Sequence, residues 1–110
     1  MTPLDIALVC RTALEESKGR DIVILDLRNL SSVTDYFVMV SGSSQPHLRA
    51  LQDGVHLKLK EAGVHCYRRS SDPEDAWMCL DYVDVVVHIM SEEARGYYTL
   101  DELWGEAPRV

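Results

Sequence analysis

Residues 77–90, WMCLDYVDVVVHIM, constrain the fold more than any other stretch of the chain. Two short apolar runs, Trp77 to Leu80 and Val85 to Met90, flank the interruption Asp81-Tyr82-Val83-Asp84. Runs of this length, rich in β-branched residues, read as strands buried on both faces. The interruption reads as a tight turn, so the stretch is a β-hairpin. A large aromatic and two carboxylates at the mouth of an aliphatic sheet are not what a packed core requires, and the search for function starts there.

The rest of the chain supplies partners for the hairpin. Thr2 as N-cap, Pro3 at the first helical position and Asp5 facing the positive dipole end begin a helix. Leu4, Ala7, Leu8 and Leu14 continue it at helical spacing, and Gly19 supplies its stop. Asp21 to Leu27 is a nearly solid aliphatic strand, residues 28–35 a polar connection, and Tyr36 to Val40 a second strand. A link this short carries no helical crossover, so the two strands are antiparallel neighbours. After Ser41-Gly42-Ser43-Ser44 a helix runs from Gln45 to Glu61, with Leu48, Leu51, Val55, Leu59 and Ala62 on its apolar stripe and Gly63 ending it. Val64 to Tyr67 reads as the next strand, joined to Tyr36–Val40 by a right-handed parallel crossover. Arg68 to Ala76 reads as a loop. A short helix after Ser91 and a capping box Thr99-x-x-Glu102, with Leu100, Leu103 and Trp104 on the last turn, complete the chain before Pro108.

The expected fold class is therefore α/β, with a mixed sheet of about five strands flanked by helices in a single domain, residues 1–110. A chain of 110 residues buries roughly two thirds of its unfolded surface, enough for one core. No run reaches the roughly 18 apolar residues of a spanning helix, and no signal peptide is evident. Cys10, Cys66 and Cys79 are odd in number and widely spaced, which suits buried thiols in a reduced, cytoplasmic compartment. The formal charge of −7, from 18 acidic and 11 basic residues, disfavours direct nucleic-acid binding, because long-range attraction to phosphate depends on basic surface. A basic protein partner is easier to accommodate.

Several words then stand in one order: Asp26-Leu27, Ser32-Val33-Thr34-Asp35-Tyr36-Phe37-Val38, Ser41-Gly42-x-Ser44-x-x-His47 and Leu59-Lys60-x-x-Gly63. They continue as Trp77-x-x-Leu80-Asp81-Tyr82-x-Asp84-Val85-Val86-Val87-His88 and Tyr98-x-Leu100-x-x-Leu103-Trp104. Together, from Asp21 to Trp104, they resemble the bacterial ribosomal silencing factors, also called Iojap-like. The resemblance implies a fold related to nucleotidyltransferases without their catalytic motif, hence no enzyme and no cofactor. It also implies docking on large-subunit ribosomal protein fourteen, which keeps the small subunit from joining and so represses translation. The family's docking surface uses the aromatic-acidic hairpin, here Trp77, Met78, Leu80, Asp81, Tyr82 and Asp84. Two departures stand out. The loop before Trp77 lacks the usual glycines, and Val83 occupies a position where many members carry glycine.

The residues themselves leave alternatives open. Trp77 is either core filling or an interface anchor. By alternation Trp77, Cys79 and Asp81 share one face and Met78, Leu80 and Tyr82 the other, so the strand cannot offer all six side chains to a partner. Asp81 and Asp84 suit turn chemistry or a partner contact, and their spacing does not converge on a metal ion. His88 reads as a core histidine with no second ligand at zinc spacing. Ser41, Gly42, Ser43 and Ser44 precede a helix N-terminus, where amides bind anions, but the fold needs such a turn anyway and no P-loop lysine follows. The alternative function is a nucleotide-binding module or nucleotidyltransferase-like enzyme using this turn with Asp81 and Asp84. A homodimer paired through the hairpin edge is a third possibility.

Overall fold

A computed structural model describes residues 1–71, 76–98 and 100–110. Helix α1 spans Pro3–Glu16 and opens with a complete capping box, the Thr2 hydroxyl accepting from the Asp5 amide at 3.1 Å and the Asp5 carboxylate from the Thr2 amide at 3.0 Å. Its end differs from expectation. Lys18, not Gly19, takes the left-handed conformation, φ 59°. The Lys18 amide donates to the Glu15 carbonyl and the Gly19 amide to the Leu14 carbonyl, which closes a Schellman motif. Gly19 is needed for space: a Cβ there would sit 2.5 Å from a Val40 methyl.

Strands β1 (Arg20–Asp26) and β2 (Tyr36–Gly42) pair antiparallel as expected, and helix α2 covers Gln45–Glu61. Its stop matches the sequence. Gly63 adopts φ 82°, its amide donates to the Lys60 carbonyl, and that of Val64 to the Leu59 carbonyl. Strands β4 (Trp77–Asp81) and β5 (Val85–Ser91) form the hairpin, followed by the short helices α3 (Glu92–Tyr98) and α4 (Leu100–Leu103).

The remaining strand, β3, is Arg68–Ser71, within the segment expected to be a loop, while Val64–Tyr67 is not a strand. The sheet order is β1-β2-β5-β4-β3, with β2 parallel to β5 and every other pair antiparallel. The parallel partner of β2 is therefore β5, not the segment after α2. The cause is visible in burial. All four residues of β3 are exposed, so the strand exists through its ladder with β4 and leaves no apolar pattern to read. Residues 72–75 and the capping residue Thr99 lie outside the described residues.

Helices α1 and α2 pack on one face only. Ile6, Ala7, Cys10, Leu14, Leu48, Leu51, Val55 and Leu59 meet Ile24, Tyr36, Val38, Val40, Met78, Leu80, Val85, Val87 and Ile89 in a single core. Burying each large side chain contributes roughly 1.5–3 kcal/mol. His47 fastens the two helices together: its Nδ1 accepts from the Ser43 amide at 2.9 Å, which leaves the proton on Nε2 to donate to the Ser17 carbonyl at 2.9 Å. The opposite sheet face is covered over β1 by the C-terminal segment. The Asp26 amide donates to the Pro108 carbonyl and that of Val110 to the Ile24 carbonyl, so the outer edge of β1 is occupied as well.

Candidate docking face

Alternation along the strands places Phe37, Trp77, Cys79, Asp81, Val86 and His88 on the face that the long helices leave free. Beneath the C-terminal segment that face is closed, with Leu25, Leu27, Met39 and Met90 fully buried. Beyond it a groove of about 770 Å³ runs over β2, β5 and the hairpin turn, lined by Val33, Phe37, Val83, Val86, His88 and Trp104 among others. Aromatic rings form its floor. Trp104 meets Phe37 edge to face at 5.9 Å, Phe37 meets His88 at 4.5 Å, and His88 meets Trp77 at 5.8 Å. Three exposed apolar side chains, Val33 at 83%, Tyr67 at 71% and Val83 at 55%, stand on its rim. Scattered exposed apolar residues need no explanation, whereas this set gathers around one groove and makes the face the candidate interaction surface.

Trp77 is half-buried, packed against the core beneath the C-terminal segment, and its indole N–H donates to His88 Nδ1 at 3.1 Å. Cys79 Sγ lies 3.3 Å from the same nitrogen. With Nδ1 accepting, the His88 proton sits on Nε2, which finds no acceptor among the described residues. Burial pushes the His88 imidazole down to about 4, so it is neutral in the folded protein at pH 7. An unfolded histidine titrates near 6.5. The unfolded state thus binds the extra proton first as the pH falls, and stability declines between about pH 6.5 and 4 by up to ~3 kcal/mol. Thermal melts across that interval are expected to show a steeper decline for the wild type than for His88→Phe. Parallel curves would show that His88 is not the group responsible.

The hairpin turn places Val83 where the backbone favours glycine. The Asp84 amide donates to the Tyr82 carbonyl at 3.0 Å across Val83, whose φ is 73°. This is a γ-turn centred on a β-branched residue in the left-handed region, a strained combination. The Asp81 carboxylate accepts from the Val83 amide at 2.7 Å and holds the turn from below. Glycine relieves roughly 1–3 kcal/mol of strain and gives back about 0.5–1 through chain entropy. Urea unfolding of Val83→Gly is expected to show a net gain of about 1 kcal/mol; unchanged or lower stability would contradict the strain.

Of the hairpin residues singled out from sequence, Trp77 and Asp81 are half-buried on the open face and Asp84 is exposed at the turn. Met78, Leu80 and Tyr82 are 3%, 0% and 6% exposed and lie in the core under α1 and α2. Their side chains are not offered to a partner, because alternation sends them to the helix-covered face. The hairpin offers no edge for self-pairing either, since β3 covers β4 and β2 covers β5.

The Ser41–Ser44 turn is likewise spent internally. Ser41 and Gly42 belong to β2, and a Cβ at Gly42 would meet Leu48 at 2.6 Å. The Ser43 amide serves His47, and the Ser44 hydroxyl accepts from the His47 amide at 3.2 Å. Glu92 and Glu93 line the same hollow, and Arg20 is engaged by Glu92 at 2.8 Å. Among the described residues no group of three or more His, Cys, Asp or Glu is placed to hold a metal ion, and no helix is long and apolar enough to cross a membrane.

Fold and site together define a small α/β domain whose mixed sheet is helix-covered on one side and carries an apolar groove on the other. The family model described as ribosomal silencing factor during starvation matches residues 1–110, and the chain belongs to that family. It is 38% identical to a ribosomal silencing factor of Chromobacterium violaceum over 101 residues, 92% of this chain and 83% of the relative. Identity to the Bacillus subtilis ribosomal silencing factor is 32% over 108 residues, 98% and 92% of the two chains. A crystal structure of a Chromobacterium violaceum protein superposes with a TM-score of 0.91 at 37% identity, covering 96% of this chain and 88% of that one.

Sequence reasoning missed Phe37, Val86 and Trp104 as site residues. Alternation puts Phe37 and Val86 on the same sheet face as Trp77 and Asp81, but nothing in the sequence says that this is the face the helices leave open.

Proposed function

We propose that the chain docks its open sheet face on a basic protein of the large ribosomal subunit, large-subunit ribosomal protein fourteen, and excludes the small subunit by occupying the joining surface. The observation that carries this reading is the apolar groove left uncovered over Phe37, Val86, His88 and Trp104. Asp81 in its wall and Asp84 at the turn give an acidic margin that complements a basic partner, aiding orientation and association rate. Steric exclusion needs no catalytic group, and membership of the family supports a role at the ribosome.

Sedimentation with isolated large subunits, isolated small subunits and joined ribosomes tests the proposal. Enrichment with the free large subunit, together with slower subunit joining as the protein is added, is the expected result. Equal partition between the two subunits would overturn it.

A further inference from the structure

The acidic total of the chain hides a basic edge. Arg49, Gln52, His56 and Lys60 follow one another along one side of α2, and β3 brings Arg68 and Arg69 beside them. His56, Lys60, Tyr67, Arg68 and Arg69 enclose a recess of about 310 Å³, and Arg69 with Arg49, Gln52, Ser70 and Ser71 borders a second. Arg49, Lys60, Arg68 and Arg69 are exposed and enter no ion pair among the described residues. The field is felt locally. After burial, Arg69 and Lys60 are the causes that hold the His56 imidazole below its ordinary value, against an opposing pull from Asp53.

We propose that this α2–β3 edge is a second ribosome contact, which grips the phosphate backbone of large-subunit RNA through Arg49, Lys60, Arg68 and Arg69. The inference rests on the silencing reading above. Several fixed cations along a shallow edge suit a phosphodiester chain. Tyr67 is exposed, carries the Arg68 guanidinium 6.0 Å from its ring centre, and is placed to stack on an unpaired base. It also lines both the basic recess and the apolar groove, so a single ribosomal surface of protein beside RNA reaches both at once. A second copy of the chain is disfavoured on this edge, because pairing β3 with its own copy would gather four arginines in one short ladder. The strongly acidic remainder turns the basic edge toward RNA during approach.

The test is co-sedimentation of the full chain with purified large subunits across a salt series from about 50 to 300 mM KCl. Arg68→Ala/Arg69→Ala is expected to bind about tenfold more weakly near 100 mM, with the slope of log affinity against log salt flatter by about 1.5–2. Arg68→Lys/Arg69→Lys is expected to keep the wild-type slope. Both pairs lie on an exposed strand, and circular dichroism verifies their fold. An alanine pair with wild-type affinity and slope overturns the phosphate contact. So does an alanine pair that loses the same affinity for isolated ribosomal protein fourteen in the absence of RNA, because the edge would then be touching protein. Wild-type protein that fails to sediment with large subunits at any salt overturns the silencing reading as well, whereas an unchanged slope leaves that reading standing.

Discussion

Val86→Lys is expected to weaken binding to the large ribosomal subunit by about a hundredfold, some 2.7 kcal/mol, while leaving the protein folded. Val86 sits mid-groove, its Cα in register with Phe37 on β2 and Asp81 on β4. It is half-buried and belongs to neither buried cluster of the core. A lysine there fills the groove with a long side chain and sets a positive charge against a basic partner, where like charges cost several kcal/mol. The fold tolerates it, because the cross-strand neighbour is the Asp81 carboxylate and opposite charges across a ladder are mildly favourable. Val86→Thr keeps the shape and is expected to bind within a few fold of wild type. Co-sedimentation with large subunits reads both variants. Wild-type affinity from folded Val86→Lys would show that the partner lies elsewhere.

What was legible in the sequence was whatever local chemistry or burial dictates. Capping residues at Thr2 and Ser44 set the helix starts, Gly63 set a stop, and the hairpin and the alternation of Trp77, Cys79 and Asp81 against Met78, Leu80 and Tyr82 followed from period two. The misreadings share a cause. Val64–Tyr67 looks like a strand because it contains a valine, a cysteine and a tyrosine, yet Val64 completes the end of α2 and the ladder begins at Arg68. An edge strand exposed on both faces is fixed by its neighbour's hydrogen bonds, and those have no sequence pattern. The same blindness hid the open face. Period two separates two faces of a sheet but does not say which one the helices will cover, and that choice decides that Leu80 is core and Val86 is accessible. Net charge misleads in a related way, since −7 is an average over an acidic body and a basic edge.

Trp77→Ala is expected to lower stability by about 2–4 kcal/mol, near the bottom of the range for removing a large aromatic because the ring is only half-buried. Two losses combine. The indole packs with Leu25, Leu27, Met39 and Met90 beneath the C-terminal segment, and its N–H is the donor that fixes the His88 tautomer. Trp77→Phe separates them: the ring remains, the donor goes, and a cost of about 1–2 kcal/mol is expected for leaving His88 Nδ1 with only the weak Cys79 thiol. Urea unfolding measures both variants. Binding to large subunits is then read in urea-free buffer, at a temperature where Trp77→Ala is still folded. A drop of more than tenfold there places the indole against the partner as an anchor. A fall in stability alone assigns it to the wall that supports Phe37 and His88, and shifts the weight of docking to Val86, Trp104 and the groove between them.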